Sequence, residues 1–332
     1  MKSKINDLYI KRGSDEDSFE RICMNRASDL GARVVYNSKL VKFNWDKQNS
    51  VKNVIVEHNG KKSEIKPTFI IGADGVNSNV LKLSGLSDSE KIFGEFYGYG
   101  IYGKDFNLPA DTTHVFFNRT IAPGGYLFTA KSKKNDCVLG IGIDPILAKE
   151  NPKESFNSAI SNKSISEVIE NAVIKNNFIG LGRFGFLKKR AIGNILLVGD
   201  AGRFGDPFLC YGVRQAILSG YTATKVCKSY LDSTSQVEPC KEYELKTKSL
   251  IDENKLGLLF RKTYRKFTND DIDIIFKILS EALNDGLDLD DFYKRENLLL
   301  IKHILHNMKG STKICAKVLP NLVEYLLKIH HF

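Results

Sequence analysis

Apolar residues follow different rhythms in different stretches of this chain. Two short unbroken runs, Phe69-Ile-Ile and Ile195-Leu-Leu-Val198, each lead into a glycine and then an aspartate. Runs of that length, closed by turn residues, predict short buried strands. From Phe93 to Tyr102 the pattern becomes strand-like and aromatic, with Phe93, Phe96, Tyr97, Tyr99 and Tyr102, and Asn59-Gly60 marks a hairpin turn before it. Elsewhere the spacing is helical. Phe19, Ile22, Ala27 and Leu30 predict an amphipathic helix within Asp15 to Arg33, introduced by an acidic segment and closed by Gly31. Helices are also predicted from about Val213, near Ser164 to Lys175, and over Tyr243–Phe267, Asp270–Leu283 and Leu298–Phe332. Together these predict a mixed α/β (α+β) chain in four stretches, 1–83, 84–188, 189–231 and 232–332, the last of them helical.

The second apolar run carries the chemistry. A carboxylate at the C-terminal end of a buried strand lies where ligands bind in α/β sheets, and Asp200 can accept hydrogen bonds from a ligand's hydroxyls. The loop after it contains Gly205, Pro207 and Gly212, which allow backbone to approach a flat ring. The helix that follows turns its N-terminal N–H groups toward the same place.

This segment resembles the second flavin-binding motif of the flavoproteins that include aromatic hydroxylases and geranylgeranyl reductases. The resemblance implies FAD as cofactor, with Gly199-Asp200 at the ribityl chain and Pro207 to Gly212 against the isoalloxazine. Phe69-Ile-Ile-Gly-Ala-Asp74-Gly75-Val-Asn-Ser78 is similar to the middle motif of the same family, which places Asp74 and Gly75 near the flavin and its diphosphate. Where the family has an arginine after that serine, this chain has Leu81 and Lys82, which removes any bidentate fork. Pro123-Gly-Gly-Tyr126-Leu-Phe128-Thr-Ala130-Lys131, followed by Gly140-Ile-Gly142, resembles the geranylgeranyl reductase signature. It departs from that signature at Phe128, Ala130 and Lys131. The resemblance implies that Pro123, Tyr126, Phe128, Gly140 and Gly142 line an apolar substrate cavity, which Ala130 widens.

The fold implied is an incomplete Rossmann-like FAD-binding domain (1–83 and 189–231) with an inserted antiparallel substrate sheet (84–188) and a helical C-terminal region. No strand–GxGxxG–helix unit precedes Asp74. The literal match Gly98-Tyr-Gly100-Ile-Tyr-Gly103 lies inside a strand-like run and opens no helix. The family resemblance therefore begins with the Asp15–Arg33 helix. Three readings stay open: a truncated sequence, a first segment carried by a separate polypeptide, or a diverged relative.

Composition narrows the remaining classes. The chain has 332 residues, 42% of them hydrophobic, with no run long enough to span a membrane and no apolar leader, so a cytoplasmic location is expected. The six cysteines (23, 137, 210, 227, 240 and 315) lack Cys-x-x-Cys spacing, and His303 and His306 have no evident partner, so no metal site is expected. A net charge of +10 without a nucleic-acid motif argues for an anionic lipid surface, or for no specific partner, over nucleic acid. The expected activity is reduction of prenyl-chain alkenes of a lipid, with electrons from a donor such as ferredoxin or NAD(P)H. Tyr126, Cys210 and Tyr211 are the candidate proton donors by family position. The alternatives are a flavin-dependent monooxygenase of the same fold and a non-catalytic protein that binds an isoprenoid or a partner.

Overall fold

The computed structural model describes residues 10–13, 15–286 and 312–320. Helix α1 (Phe19–Asp29) begins at Ser18, whose hydroxyl accepts from the Arg21 amide at 3.3 Å. The apolar face predicted for it meets little of the described chain: no residue of α1 is buried, and Leu30 just beyond it is 72% exposed. Strands β1 (Ser38–Trp45), β2 (Val51–His58) and β3 (Lys61–Ile65) form an antiparallel meander. The β2–β3 turn is Asn59-Gly60, both residues at positive φ (48° and 77°), as a two-residue hairpin turn requires. Lysines Lys61 and Lys62 on the fully exposed β3 blunt that edge. Strand β4 (Ile70–Gly72) then leads into the short helix α2 (Asn79–Leu83).

A five-stranded antiparallel sheet occupies the middle of the chain. It contains β5 (Lys91–Lys104), β6 (Thr112–Phe116), β7 (Tyr126–Lys131), β8 (Cys137–Ile143) and β9 (Val173–Phe186) in the order β6-β7-β8-β5-β9. Helix α3 (Pro152–Ile160), capped by Asn151 in a capping box with Glu154, and α4 (Lys163–Ser166) cover its outer face. There Tyr99, Leu127, Leu139, Ile141, Phe156 and Ile165 form a buried cluster. The rejected glycine match lies in the middle of β5, as a strand. The helix predicted over Ser164–Lys175 is a correction: it stops after one turn, because β9 starts at Val173 and pairs with β5 along nearly its whole length.

The chain returns to β4 through β10 (Ala191–Ile192) and β11 (Ile195–Leu197). β11 runs parallel to β4, pairing Ile195 with Ile70 and Leu197 with Gly72. The outer edge of β4 has no strand partner among the described residues. Helix α5 (Val213–Leu231) packs beside this sheet and is followed by α6 (Pro239–Lys246), α7 (Lys248–Tyr264) and α8 (Asn269–Asn284). The single helix predicted over Tyr243–Phe267 is therefore broken. Thr247, whose amide and hydroxyl both bond to the Tyr243 carbonyl, separates α6 from α7. Residues 312–320 are helical; His303, His306 and the rest of the predicted last helix lie outside the described residues. No helix among the described residues is long and apolar enough to cross a membrane.

Helix α7 holds the two halves together. Asn254 donates to the Arg203 carbonyl (3.2 Å), and Gly257 lies against Asp206 and Pro207, where a Cβ would come within 2.6 Å of the Asp206 carboxylate. Arg261 donates to the Phe208 carbonyl (3.4 Å) and pairs with Asp144 (3.1 Å), and the Tyr264 hydroxyl donates to the Gly125 carbonyl (2.9 Å). Arg119 caps the end of α7 by donating to the carbonyls of Tyr264, Arg265 and Phe267.

Candidate functional site

The loop that leaves β11 is shaped around one carboxylate. Gly199 has φ +53°, its amide donates to the Ser219 hydroxyl (2.9 Å), and a Cβ there would lie 3.2 Å from Ala216. Both the backbone conformation and the close approach to α5 favour glycine. Asp200 follows, and the loop returns so tightly that a Cβ on Gly205 or Gly212 would lie 3.1 or 3.4 Å from its Oδ1. The Asp200 side chain lines a cavity of about 1500 Å³ and has no hydrogen-bond or ion-pair partner among the described residues. Burial raises its pKa, opposed by Arg203. Gly212 caps α5 without a side-chain hydrogen bond, so the first amides of α5 remain available beside the cavity that Gly212 and Val213 line.

A second loop faces the first. Ala73 and Gly75 line the cavity, whereas Asp74 turns into the start of α2. It accepts from the Ser78 hydroxyl (2.5 Å) and the amides of Asn79 (2.6 Å) and Val80 (3.0 Å). Lys82 is exposed and Leu81 is buried in the core, so neither reaches the cavity. The cation that joins the loops is Arg203, 3% exposed, which donates to the carbonyls of Val76 (3.0 Å) and Asp200 (2.7 Å) and to Glu90 (2.5 Å). Arg183, paired with Glu95 at 2.7 Å, reaches toward Asn77. Lys11 and Arg12 line the cavity from the N-terminal side; Lys11 pairs with Asp15 (2.9 Å) and Asp17 (2.6 Å), and Arg12 pairs with Glu20.

The third component is where the loop meets the five-stranded sheet. Asp206 accepts from the Leu209 amide (2.6 Å), and the Tyr126 hydroxyl donates to the Leu209 carbonyl (2.5 Å). Between them Cys210 takes φ +59° and lines the cavity. Cys210 keeps some accessible surface toward the cavity, yet protein atoms enclose it closely. Burial pushes its thiol up to about 12, opposed by the Arg261 guanidinium. Burial, and then Tyr211 and Cys210, raise Tyr126 well above the ordinary tyrosine value. Both groups are protonated at neutral pH. Arg261 itself is fully buried between the rings of Phe96 and Phe184, and its Nε has no hydrogen-bond partner among the described residues.

The expected site residues therefore divide. Gly75, Gly199, Asp200, Cys210, Tyr211, Gly212, Tyr126 and Phe128 line one cavity. Asp74, Pro207, Pro123, Gly140 and Gly142 stand behind it: Gly140 lies under the Phe128 ring and Gly142 under Phe96, while Pro207 meets α7. Arg203 and Arg12 were not singled out by sequence; Arg203 acts through Glu90 and Val76, far away along the chain, and Arg12 through the nearby Glu20. Among the described residues no group of His, Cys, Asp and Glu could hold a metal ion. An unpartnered carboxylate, a glycine loop folded around it and an uncapped helix N-terminus fit the polyol and ring end of a flavin.

Comparison with known proteins agrees with that fit. The family described as FAD binding domain matches residues 14–244. A digeranylgeranylglycerophospholipid reductase of Methanocaldococcus jannaschii is 29% identical over 288 residues, covering 83% of this chain and 70% of that protein. A reductase of the same name from Methanococcoides burtonii is 25% identical, covering 84% of this chain and 68% of that protein. Among solved structures, a geranylgeranyl bacteriochlorophyll reductase-like protein of Thermoplasma acidophilum superposes with a TM-score of 0.72 at 19% identity, covering 93% of this chain and 77% of that one. A flavin-dependent brominase reaches 0.67 at 15% identity, covering 94% and 75%. At these identities the structural likeness is one of fold.

Proposed function

Since this chain belongs to the FAD binding domain family, we propose that it reduces isolated double bonds in the prenyl chains of a lipid, the substrate class named for its digeranylgeranylglycerophospholipid reductase relatives. The observation that carries this reading is the shared cavity. The Asp200 loop and the glycine- and aromatic-lined floor of the sheet open into one space, with Cys210 where they meet. Reduced FAD, when bound, supplies hydride. Asp200 would accept a hydroxyl of its polyol chain, and the first amides of α5 would face its polar edge.

The remaining chemistry is the protein's. An alkene carbon that gains hydride leaves its neighbour needing a proton, and a general acid must stand close by. Cys210 is that acid: its S–H bond breaks, a C–H bond forms, and the electron pair stays on sulfur until solvent returns a proton. Burial keeps the proton in place, and the Arg261 charge opposes the cost of the thiolate left behind. The Tyr126 hydroxyl is committed to the Leu209 carbonyl and so positions the loop. Tyr211, 53% exposed, forms the rim of the cavity. The floor excludes water and holds the chain flat. The cationic excess of the chain suits a phosphate-bearing headgroup.

The test uses the FAD-loaded chain, reduced anaerobically with dithionite, and a geranylgeranyl glycerophospholipid, read by mass spectrometry. The expected product gains one H2 per reduced bond, and in heavy water both added hydrogens are deuterium, because dithionite supplies only electrons and the hydrogens of the reduced flavin and of the thiol both come from solvent. Cys210→Ala should slow this by about 10²–10⁴-fold while FAD stays bound, and Tyr126→Phe should retain most of the rate. An unchanged rate in Cys210→Ala would remove the thiol from the mechanism. A hydroxylated product formed only with oxygen would replace reduction with monooxygenation.

A further inference from the structure

Three rows of residues on the inner face of the five-stranded sheet line or border the cavity. The first runs Gly180, Gly98, Gly142, Tyr126 across β9, β5, β8 and β7. A Cβ on Gly98 or Gly180 would meet backbone first, at 3.6 Å or more, so among the described residues no side chain packs directly on that part of the floor. The second row is Phe178, Gly100, Gly140, Phe128. Here both glycines are covered. A Cβ on Gly100 would run into the Phe178 ring, and one on Gly140 would lie 2.6 Å from Phe128 and 2.9 Å from Phe178. The two rings reach in from opposite sides of the sheet and meet over Gly140. With strands about 4.8 Å apart, they form a bar roughly 14 Å long, perpendicular to the strands. In the third row Tyr102 stands behind the bar, its ring 4.8 Å from that of Phe178.

Residues on both sides of the bar line the same cavity. Gly98, Gly180, Tyr126 and Cys210 are on one side, and Tyr102 and Val138 are on the other. Gly182 lies under Cys210, where a Cβ would be 3.9 Å from the cysteine Cβ. From Gly182 to Phe178 is four residues of β9, or about 13 Å. Phe128 is anchored in an inner strand, but Phe178 is on the edge strand, where its neighbour Ile179 is 80% exposed. The Phe178 ring therefore owes its position to the two glycines beneath it and to Tyr102.

We infer that Phe178 is a specificity-determining residue: its ring is the wall that limits how far an apolar chain extends along the sheet from Cys210. The inference rests on the prenyl-lipid reading for the identity of the chain, and its test is one of binding, independent of turnover. Geraniol, farnesol and geranylgeraniol would be titrated calorimetrically into the full chain, wild type, Phe178→Ala and Phe178→Trp, with and without FAD. Each five-carbon unit that becomes buried tightens binding by about tenfold or more. In the wild type that gain should stop at farnesol, the middle member of the series, and a gain that continues to geranylgeraniol would overturn the wall. It should stop one member later in Phe178→Ala and one earlier in Phe178→Trp. Thermal unfolding and FAD fluorescence quenching, both expected unchanged, show that the variants are folded. A stop at the same alcohol in all three proteins would overturn the wall, as would affinities that do not depend on length. A shifted stop without any double-bond reduction would support the wall while removing the activity.

Discussion

Asp200→Asn changes one oxygen to nitrogen and tests the centre of the site. The carboxylate lines the cavity without a partner among the described residues, and burial raises its pKa, so its charge, where present, is a cost to the empty protein. On the proposed reading, a hydroxyl of FAD would offset that cost by donating a hydrogen bond to the carboxylate. A hydrogen bond to a charged acceptor contributes about 1.5–3 kcal/mol, so the variant should bind FAD about 10- to 150-fold more weakly. The empty protein should respond in the opposite sense. A carboxyl whose folded pKa lies above its unfolded value stabilises fully below the unfolded value, and that stability is lost as pH rises through the folded one. The wild type should therefore gain melting temperature relative to Asp200→Asn as pH falls through the raised pKa, and the variant should be at least as stable at pH 7. Quenching of FAD fluorescence gives the affinity, and thermal scans across pH give the stability. If the variant binds FAD within about threefold of the wild type, the carboxylate does not accept from the ligand. A less stable empty variant would mean that Asp200 has a structural partner.

Other expectations concern the frame around the site. Arg203→Met leaves Glu90 without its buried partner and strips donors from the Val76 and Asp200 carbonyls. It should cost about 3–5 kcal/mol in urea unfolding, and a loss below about 1 kcal/mol would mean that the two loops are held by other contacts. Gly125→Ala drives a Cβ into the backbone of Gly142, where no rotamer can give way. It should cost about 1–3 kcal/mol or more, and an unchanged melting temperature would show that these segments have room. The Tyr97 hydroxyl, and then Arg183, hold the Glu95 carboxyl below its ordinary value. The stability from this pair is present above the ordinary glutamate range and lost as pH falls through the depressed value. Glu95→Gln should therefore flatten part of the acid limb of the stability–pH curve, and an identical limb would refute the pairing.

The parts of this site legible in the sequence are those written in consecutive residues. Four apolar residues, a glycine and an aspartate announce β11 and Asp200, because a buried strand and its terminating turn are local events. The same holds for Asn59-Gly60. Where the outcome depends on a distant partner, the local pattern misleads. Ser164–Lys175 reads as a helix, but pairing of β9 with β5 claims its last residues. The stripe of α1 reads as a core-facing surface, yet Ile22 is 55% exposed because little of the described chain meets it. Arg203 and Phe178 were illegible for a related reason. A buried arginine is defined by the carbonyls it reaches and an edge phenylalanine by the glycines beneath it, and in both cases those lie far away along the chain. Asp74 shows the converse. Its motif is plain in the sequence, but the structure uses both of its oxygens to start α2.

Helix α7 touches the Asp200 loop at Asn254 and Gly257 and the sheet at Arg261 and Tyr264, four residues along one helical stripe. An inserted residue anywhere between Gly257 and Arg261 would turn half of that stripe by about 100° and advance it by about 1.5 Å. Both attachments could then not be kept at once. A substitution on the cavity walls, at Phe128 or Phe178, thus leaves the register of this helix untouched, whereas any change in the count of residues along it does not. The shape of the cavity is open to change by substitution; a new spacing between loop and sheet is open only to a sequence that rebuilds α7 as a whole.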